Sequence, residues 1–296
     1  MDGGSGKGNL RIGIDTGGTF TDIVSIDASS GEMNVTKVSS TPANPAVGLV
    51  QGIHDVLANS GGDPADVGVI CHGTTVATNA LLQGQIEGLG LIVTKGFRHI
   101  LEIARQAVPD GYGNSYFWVK PERLVPLHHV CEVTGRLNFK GVELSPLDEE
   151  SVREAARTMR QQGTRAIGVC LMHSYANPDH ERRVGEIIAD EYPEAVVSLS
   201  CDVLPEYREY ERAGTTLVDA FVKPYMARYL GNVSEELGPT LREPPFLVMQ
   251  SSGGVISAEQ VVEKPITTAL SGPAAGALGA AVVSRVAGFS DVVTLD

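Results

Sequence analysis

Asp15 and Asp22 are the residues whose type and spacing most invite chemistry. They stand in IDTGGTFTDI, residues 14–23, where two glycines and three threonines lie between them and apolar runs flank both sides. A turn between strands uses glycine where the backbone takes dihedrals closed to other residues. Paired glycines also clear side chains away, so the amides around Gly17, Gly18 and Thr19 can form a nest for a phosphate. The hydroxyls of Thr16, Thr19 and Thr21 add donors. A carboxylate beside a phosphate repels it unless a cation sits between them. Mg2+, which keeps much of its water and shares phosphate oxygens, suits Asp15. The competing reading is a plain hairpin whose threonines favour a strand.

A second polar turn is HGTTVATNA, residues 72–80, which follows an apolar run and opens a helical pattern. The carboxyl end of a strand leading into a helix is where open α/β sheets bind ligands. His72, Thr74, Thr75 and Asn79 can each contact a polar substrate or a phosphate there. His72 has two readings: a general base, since its ordinary pKa lies near neutrality, or a structural histidine. Arg98 and Arg105 also have two, as anion contacts on one helix face or as solvated surface charges. GGSGKG, residues 3–8, imitates a phosphate loop. No strand precedes it, and Gly8 occupies the place of the magnesium-binding hydroxyl, so residues 1–9 read as a flexible tail.

The elements that must position these groups follow from periodicity. LRIGI, IVSID and MNVTKV read as three strands of a meander. PAVGLVQGIHDVLANSGG carries apolar residues at helical spacing and stops at Gly-Gly. A strand is expected at 89–94, with a helix from about Arg98. Residues 107–143, which hold the only tryptophan, resist assignment. SPLDEESVREAARTMRQQG predicts a helix capped at Ser145 and Pro146. Further helix and strand alternate to residue 199, and residues 206–237 form a long helical segment that Pro224 kinks or divides. PPFLVMQSSGGVIS is a strand entering a Gly-Gly turn. A small-residue helix follows Gly272 and Pro273, and DVVTLD begins another strand. Such alternation indicates an α/β layered fold.

Composition narrows the function. Hydrophobic residues make up 42% and charged residues 20%, enough for a sizeable core. With 23 basic against 36 acidic residues the net charge is −13, which disfavours nucleic acid because no basic stripe can displace counterions. No apolar run approaches the roughly 18 residues of a membrane span. The N-terminus lacks an apolar signal core, so a cytoplasmic location is expected. Cys71, Cys131, Cys170 and Cys201 have no metal-binding spacing and read as reduced, structural thiols.

DTGGTFTD after a strand resembles the first phosphate loop of the actin, hexokinase and heat-shock ATPase superfamily. Within it the chain resembles the hydantoinase A / 5-oxoprolinase family, which includes acetone and acetophenone carboxylase subunits. The matching stretches are DTGGTFTDIV, HGTTVATNALL, TKGFRHILEIARQ, VLPEYREYERAGTTLVDAFV, QSSGGV and SGPAAGALGAA. The resemblance implies a ribonuclease H-like α/β fold whose second ATPase half is missing. It divides the chain into an N-terminal region at 10–195 and the start of a core domain at 203–296. ATP and Mg2+ are the implied cofactors, bound by Asp15, Thr16, Gly17, Gly18, Thr19, Thr21 and Asp22, with Gly272 opening a connector helix. Asp296 is a second metal carboxylate at the start of another phosphate loop. Asp15 and His72 are the implied catalytic residues, and Thr74, Thr75, Asn79 and Arg98 the substrate contacts.

The implied reaction phosphorylates the amide oxygen of a small cyclic amide such as 5-oxoproline or a hydantoin, after which water opens the ring. A hydantoinase B-type subunit is the implied partner. An ATP-using carboxylase subunit and a non-catalytic half-domain that binds a partner subunit are the alternatives. The chain departs from the family pattern at Gly135 before Arg136, where many relatives carry Glu-Arg, and at AGTT (213–216) and Asp219. Both weaken a narrow choice of substrate.

Overall fold

The computed structural model describes residues 8–41, 44–83, 88–106, 122–238, 241 and 244–295. In chain order the strands are β1 (Leu10–Thr16), β2 (Phe20–Asp27), β3 (Met33–Ser39), β4 (Val67–Thr74), β5 (Leu89–Thr94), β6 (Val130–Val133), β7 (Arg136–Leu137), β8 (Glu143–Ser145), β9 (Ala166–Cys170), β10 (Val196–Leu199), β11 (Phe246–Met249) and β12 (Val255–Ser257). The helices are α1 (Pro45–Ser60), α2 (Val76–Gln83), α3 (Ile100–Ile103), α4 (Glu149–Gln161), α5 (Asp179–Glu191), α6 (Ser200–Val203), α7 (Glu209–Leu237), α8 (Ala258–Glu263) and α9 (Ser271–Val286). None of the described helices is long and apolar enough to cross a membrane.

The chain forms two compact units. One gathers residues 1–83 and 225–296, the other residues 84–224, with the division inside α7 immediately after Pro224.

The first unit is built on a six-stranded sheet of order β12-β11-β4-β1-β2-β3. The meander is present: β1, β2 and β3 pair antiparallel, while β4 runs parallel to β1, and β11 parallel to β4. Side chains alternate across a strand, so Ile12, Ile14 and Ile23 are buried on one face with Ile70. α1 covers that face with Leu49, Ile53 and Val56, each fully buried and each contributing about 2 kcal/mol of transfer free energy. Its start is fixed by Asn44, whose side chain accepts from the Ala46 amide, and its end by Gly61 at φ 64°. Gly52 faces β2 so closely that an added Cβ would lie 2.1 Å from Ile23 Cδ1.

The second unit carries a parallel sheet of order β10-β9-β5-β6 and the hairpin β7-β8. α4 and α5 supply Val152, Ala156, Met159, Val184, Ile187 and Ile188 to its core, against Ile92, Ile167 and Val169. The predicted start of α4 moves: Ser145 ends β8, and the helix is capped by Asp148, which accepts from the Glu150 amide. The helix expected from Arg98 is only the short α3, because Ala104 and Gln106 take positive φ. Residues 291–295 form no strand; Val293 and Leu295 are almost fully exposed, and a strand needs a neighbour to satisfy its backbone. All four cysteines are free, and burial pushes the Cys170 thiol up to about 11. Residues 1–7 of the expected tail and 107–121 of the unassigned stretch lie outside the described residues.

Candidate functional site

In the first unit three strands that run parallel to one another end at the same edge. β1 ends at Thr16, in register with Thr74 at the end of β4, and Val248 of β11 pairs with His72, which brings the loop after β11 to the same edge. This edge gathers the turn at 17–19, the start of α2 and the segment Gln250–Gly254. The carboxyl edge of such a sheet is the expected place for a ligand.

The turn is tight. The Gly17 amide donates to Phe20 O at 3.0 Å, and Ser40 Oγ donates to Gly17 O at 2.8 Å, which pins the loop from β3. Gly18 and Thr19 are exposed, nothing lies within 4 Å of a Cβ built on Gly18, and their amides have no acceptor among the described residues. This tip is an open, donor-rich surface of the kind a phosphate occupies.

Strand alternation splits the rest of the predicted set. Asp15 and Asp22 are cross-strand partners on the open face, and Asp15 is in register with Gly73, whose added Cβ would meet Asp15 Oδ1 at 3.4 Å. Asp15 is exposed, beside a position without a side chain, and its oxygens suit a hard, water-clad cation such as Mg2+. Asp22 is held by Lys37 at 3.1 Å. Thr16 and Thr21 point the other way and are buried, Thr21 Oγ1 lying 3.1 Å from Ser40 Oγ. Period-two geometry turns both side chains into the interior.

His72 shares that interior. It is fully buried, with Nε2 2.7 Å from the Tyr229 hydroxyl. Burial pushes its pKa down to about 4, against a smaller opposing pull from the Ile14 backbone. Burial raises the pKa of Tyr229, while the neighbouring Thr16 and Thr74 hydroxyls offset part of the rise. His72 is thus an enclosed neutral imidazole at pH 7, which fits the structural one of its two readings.

The start of α2 reaches the turn directly. Thr75 Oγ1 donates to Thr16 O at 3.2 Å, and Asn79 Nδ2 donates to Thr75 Oγ1 at 3.1 Å. Thr74 is buried and its hydroxyl accepts from the Val76 amide at 3.2 Å, leaving Thr75 and Asn79 the more accessible pair. α9 begins at this edge too: Ser271 Oγ donates to Thr74 O at 3.4 Å, and the Leu270 amide donates to Thr78 Oγ1 at 3.1 Å. Gly272 follows, with nothing within 4 Å of an added Cβ.

Arg98 belongs to the second unit, where it is exposed and donates to Leu127 O at 3.0 Å. Arg105 pairs with Glu211. Asp296 lies outside the described residues. Tyr229 and Ser40 carry no motif that would have exposed their roles. The QSSGG turn was visible as a matching stretch, and the parallel register of β11 is what brings it to this edge. A trough of 570 Å³ lined by Arg11, Gly13, Val24, Cys71 and Leu247 contains none of the predicted site residues.

Comparison with known proteins identifies the family. The family model described as "Hydantoinase/oxoprolinase N-terminal region" matches residues 11–192, and "Hydantoinase/oxoprolinase" matches residues 212–296. An uncharacterised protein of Methanocaldococcus jannaschii is 36% identical over 97% of this chain and 42% of its own length. The caprolactamase alpha subunit of Pseudomonas jessenii is 33% identical over 98% of the chain and 42% of its length. 5-Oxoprolinase 1 of Arabidopsis thaliana is 34% identical over 92% of the chain and 23% of its length. The chain therefore spans less than half the length of these relatives. Among solved structures, nucleotide-free acetone carboxylase superposes with a TM-score of 0.85 at 30% identity, over 95% of this chain and 41% of the other. ATP-dependent caprolactamase from P. jessenii superposes with a TM-score of 0.82 at 32% identity, over 97% and 42%. With both family models matched in order along a fold shared with these enzymes, the chain belongs to the hydantoinase/oxoprolinase family.

Proposed function

We propose that this chain is the N-terminal part of an ATP-dependent cyclic-amide hydrolase, and that the edge at 17–19 is one wall of its nucleotide site. The turn carries the reading: an open Gly18–Thr19 tip whose amides have no acceptor among the described residues, at the end of a central strand and next to an exposed carboxylate. The strand order, with a first antiparallel meander followed by parallel β4 and β11, supports an actin/hexokinase/heat-shock ATPase-like, ribonuclease H-like fold. That the chain spans 42% of the caprolactamase subunit supports a second ATPase half outside it.

In this reading the Gly18 and Thr19 amides and the Thr19 hydroxyl hold phosphate, and Gly17 shapes the turn. Asp15 holds Mg2+, with Asp296 as a further metal carboxylate. When bound, ATP supplies a phosphoryl group that turns a poor amide electrophile into a reactive one. Thr75 and Asn79 orient substrate or phosphate, Gly272 lets the connector helix begin close to the site, and Arg98 is a substrate contact. His72 and Tyr229 keep the floor of the site rigid. A hydantoinase B-type subunit completes the enzyme, a reading supported by the subunit names of relatives, and the location is cytoplasmic.

A second reading, an ATP-using carboxylase subunit, is favoured by the superposition on acetone carboxylase. The test is substrate-dependent phosphate release by the full-length protein with its partner subunit. Turnover driven by 5-oxoproline, hydantoins or caprolactam supports the hydrolase. Turnover driven only by ketones with bicarbonate supports the carboxylase. No turnover with either class favours a half-domain that serves only to bind a partner.

A further inference from the structure

The second unit has a topological switch point of its own. In its parallel sheet β5 is followed along the chain by its neighbour β6, whereas β9 and then β10 build outward on the other side. The topology therefore reverses between β5 and β9, and the space beyond their carboxyl ends is where open α/β sheets take ligands. The segments there are Thr94–Phe97 after β5, Gly135–Arg136 beyond β6, and Leu171–Tyr175 after β9.

Three observations converge on this point. Arg136 lays its guanidinium over the Phe97 ring, with Cζ 5.0 Å from the centroid. Its Nη1 is buried without a hydrogen-bond partner among the described residues, and Arg136 makes no ion pair among them. A buried guanidinium nitrogen left unpaired is costly. Next, His173 holds φ at 62°, a left-handed conformation uncommon for a residue other than glycine. Strain of this kind persists where the surroundings over-determine it, and it concentrates at functional sites.

The third observation is the lock on that loop. The Leu171 amide and Ser174 Oγ donate to Glu181 Oε1 at 2.7 and 2.8 Å, and Arg212 donates to Leu171 O and to Ser174 Oγ. The Met172 amide donates to Thr94 Oγ1 at 3.0 Å, tying the loop to the end of β5. Glu181 and Arg212 are fully buried, so the loop is held from beneath by charged groups. His173 Nδ1 lies 3.3 Å from the Tyr175 hydroxyl, and Nε2 has no hydrogen-bond partner among the described residues. Partial burial lowers the His173 pKa; Glu209 opposes this, and Arg136 and Arg212 reinforce it, which places these groups in one neighbourhood.

We propose that Arg136 and His173 form a binding site, within the second unit, for a small molecule bearing a carboxylate. A guanidinium matches a carboxylate in plane and spacing. Glu209 stands in the same neighbourhood, and Glu132, which accepts from the Gly96 amide at 2.6 Å, lies at the strand ends. These acids temper the local charge, which suits a monoanion better than a phosphate dianion. The site is independent of the nucleotide reading of the first unit.

The test is a titration of the chain with sodium acetate, followed by amide NMR shifts, with inorganic phosphate as the comparison. Saturable shifts at Phe97, Arg136 and His173 are expected with acetate. Arg136→Gln should weaken binding by roughly tenfold or more, the loss of a charge-assisted hydrogen bond. Arg136→Lys should fall between, and Arg160→Gln, on the exposed surface of α4, should bind as the parent does. If Arg136→Gln proves unfolded, Arg136→Lys and His173→Ala decide. Unsaturable shifts, equal affinity in the Arg136 variants, or a preference for phosphate would each overturn the proposal.

Discussion

The Tyr229 hydroxyl and His72 Nε2 lie 2.7 Å apart in the interior of the first unit, where His72 is fully buried. Burial pushes the pKa of its imidazole down to about 4 from the ordinary 6.5. Between those values the unfolded chain takes up a proton and the folded chain does not. The contribution of His72 is therefore fully present above about pH 6.5 and lost as pH falls toward 4, by about 3 kcal/mol at most. Urea unfolding from pH 7.5 down to 4.5 should show this loss. His72→Gln should flatten the slope across that window, and an unchanged slope would remove His72 as its cause.

Tyr229→Phe tests the same pair from the other side. It keeps the ring and leaves His72 Nε2 without its hydroxyl, so a loss of about 1–3 kcal/mol is expected. Because the pair lies beneath the turn rather than in it, ATP turnover in the full-length enzyme should survive at temperatures well below unfolding. A kinetic collapse without loss of stability would instead give Tyr229 a direct role.

Asp15 is exposed on the open face, so removing its carboxylate should cost little in folding. If it holds Mg2+, Asp15→Ala in the full-length enzyme should abolish ATP turnover while the melting temperature and circular dichroism stay close to those of the parent. Turnover at the parent's rate would refute the assigned role.

Gly17 and Gly18 should separate shape from contact. A Cβ at Gly17 would meet Phe20 O at 3.2 Å, whereas one at Gly18 would meet nothing within 4 Å. Gly18→Ala should therefore leave stability unchanged yet weaken ATP binding, by roughly tenfold for a methyl group crowding a phosphate. Calorimetric titration of both variants checks this, and parent-like affinity in Gly18→Ala would move the phosphate away from the tip.

Much of this site was legible in the sequence because it depends on local signals. The meander, its Gly-Gly turn and the strand-turn-helix after His72 follow from alternation and turn residues. The direction of each side chain was less visible. IDTGGTFTDI reads as one polar cluster, yet strand alternation sends Asp15 and Asp22 to the open face and Thr16 and Thr21 inward. Tyr229 lies 157 residues from His72, a separation no local pattern spans. The start of α4 was displaced because Ser145 and Asp148 are both good cap residues, and the short β7-β8 hairpin took Ser145. The family pattern marks only Gly135, the residue before Arg136, as a departure; the orphaned nitrogen of Arg136 emerges from tertiary packing.

Glu181 provides the sharpest stability test in the second unit. Its Oε1 accepts from the Leu171 amide, Ser174 Oγ and Ser200 Oγ, and its Oε2 from the Cys201 amide at 2.7 Å. Arg212 reaches the same Ser174 hydroxyl at 2.9 Å, so the two buried charges are joined through one serine. Removing one charge leaves the other uncompensated, and Glu181→Gln or Arg212→Met alone should cost about 3–5 kcal/mol. The double variant should cost clearly less than the sum, a coupling that urea unfolding can measure as a double-mutant cycle. Additive losses would mean that Glu181 and Arg212 act separately, Glu181 as a cap for the strand ends and Arg212 as packing against Tyr175.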